Sequence, residues 1–309
     1  MIVKQWHNAL AAMHLKPLNL AFSIVPLIQE MEILLKICEW MDCIPAVSKH
    51  LSEALCSRGD SVYRAIQRDP VIWCAYMERA ESEPLYREAA IHLVGRWNEL
   101  SPRFRQCNPT RETYDLCYRK AAEFDKVKLD LELAIADCYP DHMRKRQPDG
   151  TPIDGSHTEE VNYDRAAYAN DVFGWIAVSM VQMWYAQQLA RMQGRTARDG
   201  GYRLYKKLVE GDYLDRDSRK EFTRTFPMKK RGETVLEAQT MMIKQRINAI
   251  VRESGVFVKK AVVSKPETPG FTCFEVDSAE MPWRVRAGQF GAGAVESLED
   301  DDEDDVEEE

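Results

Sequence analysis

Long hydrophobic runs are missing from this sequence of 309 residues. The most apolar run, Val172–Tyr185, is interrupted by Gly174 and Gln182, and it is shorter than the roughly 20 residues that a helix needs to cross a bilayer. We therefore predict a buried helix there and no membrane partner. The first twelve residues, Met1–Ala12, carry one Lys and an interrupted apolar stretch, which is not the pattern of a secretory leader. We expect an intracellular protein.

Signatures of catalysis are also absent. Neither of the two glycine-rich phosphate loops, G-x-G-x-x-G and G-x-x-x-x-G-K-[ST], occurs in the sequence. No Ser lies in a glycine elbow, and no Cys has a local nucleophile signature. Acidic pairs such as Glu159-Glu160 and Asp215/Asp217 are present, but such pairs are common on solvated faces. The sequence predicts no enzyme, no catalytic residue and no cofactor.

Paired cysteines at metal-binding spacing are missing as well. Cys38, Cys43, His50 and Cys56 form the only cluster of soft-metal ligands, and their separations fit no structural zinc pattern, which usually has a tight C-x₂₋₄-C pair. Most of the eight cysteines lie in apolar helical patterns, where a reduced Cys behaves as a small hydrophobic residue. We predict buried thiols and no metal.

The charge of the chain is unevenly distributed. The formal net charge is −8, with 42 basic and 50 acidic residues. Eleven of the acids lie in Glu296–Glu309, which contains no base, so the rest of the chain has 42 bases, 39 acids and a net charge of +3. A run this acidic cannot bury enough apolar surface to fold. We predict a disordered acidic tail over residues 286–309.

Helical periodicity dominates what remains, and the fold class predicted is all-α with many helices. Proline after a polar residue, as in Asp69-Pro70 and Glu83-Pro84, marks helix starts. Two β-rich runs, Gly255–Ser264 and Gly270–Val276, predict a small C-terminal β-hairpin. The predicted helices are Leu27–Met41, Pro45–Cys56, Asp60–Gln67, Pro70–Arg79, Pro84–Leu100, Asn108–Cys138, Glu159–Met192, Tyr202–Val209 and Thr234–Arg252.

A basic segment stands out between Arg191 and Arg231. It contains thirteen Lys or Arg and six Asp or Glu, with five Tyr or Phe among them. Basic residues mixed with aromatic ones are typical of a surface that binds a nucleic-acid backbone, although a solvated helical face with apolar anchors has the same composition. Arg219 and Lys220 followed by Lys229, Lys230 and Arg231 also resemble a two-part nuclear import signal with a short spacer.

The acidic tail admits three interpretations. It could contact a basic partner, shield the segment Arg191–Arg231 of the same chain, or act as a solubilising terminus without a partner.

One stretch of the sequence resembles a known family. Leu34–Cys43 reads L-L-K-I-C-E-W-M-D-C, and it is followed by Ile66–Pro70, Trp73 and Glu88–Trp97. This pattern resembles fungal BTB/POZ-domain proteins over about residues 6–100. The resemblance covers only the helical C-terminal half of that fold, so it implies an N-terminally truncated domain that binds other proteins. It leaves homodimerisation open, because the strand-rich half that carries much of the dimer surface is absent.

These observations lead to one functional prediction: a non-enzymatic adaptor or regulatory protein that binds other proteins, in the nucleus rather than the cytoplasm. The alternative is a nucleic-acid- or chromatin-associated protein that uses residues 191–231. We predict domains at 1–105, 108–285 and 286–309. The predicted partner-binding residues are Leu27, Met31, Leu34, Ile37, Trp40 and Met41, and the predicted nucleic-acid or import-signal patch is Arg219, Lys220, Lys229, Lys230 and Arg231.

Overall fold

The computed structural model describes residues 1–139, 168–263 and 268–287, and all their side chains except those of 168–171, Arg216 and Arg219. Within those ranges the chain is helical and contains no strand, so the predicted all-α class is confirmed. The helices are α1 (Ile2–Met13), α2 (Ile24–Trp40), α3 (Ile44–Cys56), α4 (Asp60–Arg68), α5 (Pro70–Arg79), α6 (Glu83–Gly95), α7 (Trp97–Gln106), α8 (Arg111–Ala136), α9 (Tyr168–Ala190), α10 (Tyr202–Glu210), α11 (Arg216–Thr225) and α12 (Lys230–Glu253). A short 3-10 helix, Ser278–Glu280, follows.

Local sequence explains most of the helix starts. Proline occupies the first turn of α3, α5 and α6, where its missing N–H would have no partner in any case. Asp69 caps α5 by accepting a hydrogen bond from the Ile72 N–H at 3.4 Å. The single helix predicted over Pro84–Leu100 is instead two helices that meet at Arg96.

The chain divides into two compact units. Unit 1 contains residues 1–123 and 258–309, and unit 2 contains residues 124–257. Unit 2 is therefore inserted in sequence between two segments of unit 1, and α8 contributes residues to both. The domain boundaries predicted from the sequence remain predictions, because this division by packing does not test them.

The core of unit 1 is built from α2 to α6, with α5 and α6 closely packed on each other. Tyr86 of α6 is fully buried, and its hydroxyl lies 3.2 Å from the Thr113 hydroxyl of α8. Both apolar and aromatic side chains fill this core, including Leu27, Met31, Leu34, Leu51, Trp73, Met77 and Phe104.

The described residues of 258–287, here called the return segment, pack on α6 and the start of α8. The Arg87 guanidinium donates to the Val276 carbonyl at 2.8 Å, and the Glu88 carboxylate accepts from the Val262 N–H. Gly95 ends α6 against the Phe271 backbone, whose carbonyl oxygen would lie only 1.9 Å from an added Cβ. Only a glycine permits this approach.

The predicted C-terminal hairpin is wrong for the described residues. Residues 255–263 and 268–276 are irregular, and one backbone bond, from the Lys260 N–H to the Thr272 carbonyl at 2.8 Å, links them. The β-rich composition has another cause: Phe271, Phe274 and Val276 are buried in unit 1. These apolar side chains are used for packing in a helical unit, and the Val262 N–H and the Val276 carbonyl bind α6 side chains.

Unit 2 contains the second half of α8 together with α9, α10, α11 and α12, and α9 packs most closely on α12. Glu132 of α8 joins these elements, because its carboxylate accepts from the Arg195 N–H at 2.7 Å and from the Tyr205 hydroxyl at 2.9 Å. Arg195 also pairs with Asp125 at 2.6 Å. Burial raises the pKa of Tyr205, and the nearby Glu132 carboxylate raises it further. This polar cluster fixes the loop after α9 onto α8.

Candidate functional site

The most exposed helix of unit 2 is α11. Asp215 caps its first turn by accepting from the Ser218 N–H at 2.8 Å and from the Ser218 hydroxyl at 2.7 Å. This backbone bond lowers the pKa of Asp215 below its ordinary value. None of the side chains described for α11 is buried, and the helix is not closely packed on any other described helix. Most helices owe their stability to packing, so a free-standing helix of this length has a surface available for other molecules.

Two aromatic rings lie on this exposed helix and its end. Phe222 and Phe226 contact each other with ring centroids 5.1 Å apart, and Phe226 is exposed to solvent. Pro227 follows and prevents the helix from continuing. The pair therefore forms a small apolar spot in a basic stretch of the sequence.

The basic residues of the predicted patch lie before and after this pair in the sequence, on α11 and at the start of α12. Lys220 is exposed and pairs with Asp217 at 2.9 Å. Lys229, Lys230 and Arg231 are exposed at the start of α12, and so is Arg224 in the last turn of α11. Within the described chain, these last four make no ion pair with an acidic side chain. The side chain of Arg219 lies outside the described residues.

Three of these cations occupy an electrostatically unfavourable position. Lys229 is the N-cap of α12, and Lys230 and Arg231 are its first two residues. The N-terminus of a helix carries a partial positive charge, and a like charge there costs about 0.3–1 kcal/mol for each residue. A Lys at the N-cap also has no oxygen with which to accept from the free N–H groups, and no side-chain cap is present. An anion near this turn would relieve both costs.

The start of α12 is nevertheless held firmly. An added Cβ at Gly232 would lie 2.8 Å from the Phe173 ring, so the absence of a side chain lets α9 approach. Further along α12, the Lys244 ammonium donates to the Gly211 carbonyl at 3.1 Å and lies 4.7 Å from the centre of the Tyr213 ring. Lys229, Lys230 and Arg231 therefore project from the start of a helix that packs on α9. We call Phe222, Phe226, Lys220, Arg224, Lys229, Lys230 and Arg231 the basic surface.

The partner-binding residues predicted in α2 have a different placement. Leu27, Met31 and Leu34 have no accessible surface, and Ile37 is buried. Met41 is partly buried, and Trp40 is exposed. The apolar side chains of α2 pack on neighbouring helices of unit 1, so only Trp40 of this set presents a large surface to solvent. Their role in partner binding remains a prediction.

The cysteine cluster is buried only in part, since Cys56 is partly exposed. Cys38 and Cys43 are buried free thiols, and burial raises the pKa of Cys38 to about 12, with Cys43 adding to the effect. No group of three or more His, Cys, Asp or Glu side chains is arranged to hold a metal in the parts of the chain that the structure describes.

A cleft of about 760 Å³ lies in unit 1 between α8 and the return segment. Arg119 and Lys120 bind the two oxygens of Glu280 there, at 2.9 and 3.0 Å. These ion pairs fasten the return segment to α8. No Ser, Thr, Cys or His is found among the described residues that line the cleft, so they offer no nucleophile–base pair.

The sequence did not reveal α11, because a helix with few apolar residues has no apolar periodicity. The usable signals were Asp215 with Ser218 at capping distance and Pro227 as a stop. The first residues of the helix predicted over Glu159–Met192 lie outside the described residues. No helix in the described ranges combines the length and apolarity needed to span a membrane.

Comparison with known proteins identifies one similarity. The family model of the fungal FF domain matches residues 141–253, which include α9 to α12 and the whole basic surface. FF domains are protein-interaction modules and are not catalytic. No curated protein and no solved structure matches the chain.

The resemblance to BTB/POZ domains is therefore wrong. The family that matches is the FF domain, and no comparison supports a BTB/POZ domain. The motif that suggested it, Leu34–Cys43, is the end of a core helix followed by its cap: α2 stops at Trp40, and Asp42 has a positive φ of 51°. Buried leucines followed by such a turn occur in many helical folds. What the comparisons do identify is a region similar to a protein-interaction module in the second half of the chain.

Proposed function

We propose that the chain is a non-enzymatic adaptor whose region 141–253 binds a partner protein. The match of this region to the FF-domain model supports the proposal, since FF domains mediate protein interactions. The organisation of the sequence supports it too, because unit 2 is one compact body inserted into unit 1.

The partner segment is acidic. The observation that carries this step is the row of three exposed cations at the N-terminus of α12, where they oppose the helix dipole. A carboxylate placed there accepts from free N–H groups and neutralises the cations at the same time. The adjacent Phe222 and Phe226 supply apolar contact for a side chain of the partner.

The expected affinity is modest. Exposed ion pairs contribute about 0.2–1 kcal/mol each, so the cations of the basic surface together account for a few kcal/mol at most. Such binding is screened by salt, with a Debye length of about 8 Å at physiological ionic strength. The interaction is expected to be fast and reversible.

A binding experiment on the full chain tests the proposal. The ligand is a labelled peptide rich in Asp and Glu, and its Asn/Gln analogue of the same length is the neutral reference. Fluorescence anisotropy is expected to show binding of the acidic peptide only. The variant Lys229→Glu/Lys230→Glu/Arg231→Glu is expected to lose most of this affinity.

The matched control is Lys126→Glu/Arg203→Glu/Lys206→Glu, which changes net charge equally at exposed cations elsewhere in unit 2. Equal losses in both triple variants would show a general charge effect and overturn the assignment to the basic surface. Tighter binding of single-stranded DNA or RNA than of the acidic peptide, lost in the first variant alone, would establish the nucleic-acid alternative instead.

A further inference from the structure

Helix α1 exposes its large apolar side chains to solvent, whereas a helix of a protein core normally buries them. Its buried side chains are small or polar: Gln5, Asn8, Ala9, Ala11 and Ala12. Its large apolar side chains point to solvent. At 3.6 residues per turn these exposed residues lie within an arc of about 100°. They are, with their exposed fractions, Ile2 (61%), Val3 (82%), Trp6 (36%), Leu10 (48%) and Met13 (46%).

Polar contacts hold α1 in this orientation. The Asn8 side chain donates to the Asn19 carbonyl at 3.0 Å and accepts from the Asn19 N–H at 2.9 Å. Lys4 binds the nearly buried Glu30 of α2 at 2.7 Å. Burial opposes ionisation of Glu30, but Lys4 and the Ala21 N–H hold its pKa below the ordinary value. These specific bonds fix which face of α1 is inside, so the outward apolar face is a defined feature of the fold.

Trp40 extends the same face. It ends α2, is 79% exposed, and packs edge-on against Trp6 with ring centroids 5.7 Å apart. We call Ile2, Val3, Trp6, Leu10, Met13 and Trp40 the α1 face. A contiguous exposed apolar surface of this kind marks an interaction site.

The charge of this region indicates what covers it. Lys4 is the only Lys, Arg, Asp or Glu in α1, and it is bonded to Glu30. The α1 face thus offers nothing to a ligand recognised by charge, and it complements a surface as apolar and uncharged as itself. In a twofold-symmetric dimer each chain supplies the same patch to the other, so the patch must be complementary to itself. A neutral apolar stripe is self-complementary, because it brings no like charges together.

The size of the face is sufficient for such a contact. With roughly 200 Å² of accessible surface for each large side chain, the exposed fractions correspond to roughly 700 Å² per chain. Interfaces of standard size bury roughly 600–1,000 Å² per partner, so the face falls within this range when it is fully covered. We propose that the α1 face is the interface of a homodimer, in which the α1 helices of two copies pack against each other with Trp40 at the border.

The test is the mass of the full chain in solution, measured by sedimentation over a range of concentrations. A concentration-dependent dimer is expected. Leu10→Glu and Trp40→Glu, both at exposed positions, are each expected to raise the dimer dissociation constant at least tenfold. Tyr118→Glu, at an exposed aromatic position of α8 in the same unit, is the matched control and is expected to leave the dimer unchanged. Circular dichroism checks that all variants retain their helix content.

A crosslink locates the interface independently. In a background with the exposed Cys107 replaced by Ser, Leu10→Cys is expected to form a disulfide between two chains under air oxidation, two thiols losing two hydrogens to oxygen. Tyr118→Cys is expected not to do so.

Three results would overturn the proposal: a monomer at tens of micromolar, a dimer that Leu10→Glu and Trp40→Glu leave intact, or large aggregates without a defined dimer. A monomer that floats with neutral phosphatidylcholine vesicles through the α1 face would also overturn it, since the occupant would then be a lipid surface. None of these outcomes bears on the peptide-binding test of the basic surface, which concerns other residues.

Discussion

Helices α1 and α11 both expose side chains that are unusual on a helix surface, but the side chains differ in chemistry. Helix α1 is fixed to unit 1 by polar bonds and exposes large apolar side chains. Helix α11 lies free of close packing in unit 2, and with the start of α12 it exposes cations. The two proposed surfaces are therefore expected to respond to different solution conditions. Apolar contact depends on area removed from water, whereas charge contact depends on ionic strength.

The largest effect is expected from the α1 face. Replacing both Trp6 and Leu10 by Glu removes two apolar contacts from each chain and buries charge in their place, and fully burying one such side chain contributes about 1.5–3 kcal/mol. The dimer dissociation constant is expected to rise at least a hundredfold, as measured by sedimentation. The affinity of each variant chain for the acidic peptide should stay within twofold of the unmodified chain. A large loss of this affinity would show that the α1 face and the basic surface do not act independently.

The reciprocal change is expected to be smaller. Lys229→Glu/Lys230→Glu/Arg231→Glu should weaken acidic-peptide binding by roughly tenfold, which corresponds to about 1.4 kcal/mol. Sedimentation should show no change in the dimer. If the triple variant dissociated the dimer, the basic surface would be part of the self-association contact.

Substitutions in α1 and α11 should also differ in their effect on the thermal stability of the protein. Asn8→Ala removes the two hydrogen bonds between the buried Asn8 side chain and the Asn19 backbone, and a typical hydrogen bond contributes about 0.5–1.5 kcal/mol. Thermal unfolding of the variant is expected to occur several degrees lower. Thr223→Ala in α11 removes no packed contact and is expected to leave the transition unchanged. A large fall in the second variant would mean that α11 is packed in solution.

The smallest effect is local and depends on pH. The backbone bond from Ser218 lowers the pKa of Asp215 in the folded state. The capping contribution is therefore fully present above the ordinary carboxyl pKa and is lost as pH falls through the lowered value. Amide hydrogen exchange in α11 should accelerate in strongly acidic solution. Asp215→Asn, which keeps a capping oxygen without the charge, should show little of this pH dependence.

The sequence predicted the helices well where apolar periodicity and prolines agreed. Pro45, Pro70 and Pro84 placed three helix starts correctly. The sequence-based prediction was wrong where tertiary contacts determine the local structure. The β-rich composition of Phe271–Val276 serves packing onto α6, and a single sequence does not show which partner an alternating apolar run will meet.

The candidate surfaces were predicted only in part. The basic residues near Arg231 stood out by composition, but their position at the start of a helix required the structure. The apolar stripe of α2 predicted a binding face, yet Leu27, Met31 and Leu34 form the core. Periodicity shows that a helix has an apolar side but not which way that side points. For α1 the polar bonds of Asn8 and Lys4 decided the orientation.

The acidic tail is expected to affect the basic surface but not the α1 face. Residues Glu296–Glu309 supply eleven acids, so we expect them to compete with an acidic ligand of the basic surface. Deleting them should strengthen acidic-peptide binding and leave the dimer unchanged.

The most direct test is a salt titration of the intact chain, with acidic-peptide affinity and dimer mass measured in the same solutions. If both surfaces act as proposed, peptide binding weakens steadily as ionic strength rises, while the dimer is unaffected or slightly strengthened. Peptide binding that does not respond to salt, or a dimer that dissociates in parallel with it, would contradict the division into a charged and an apolar recognition surface.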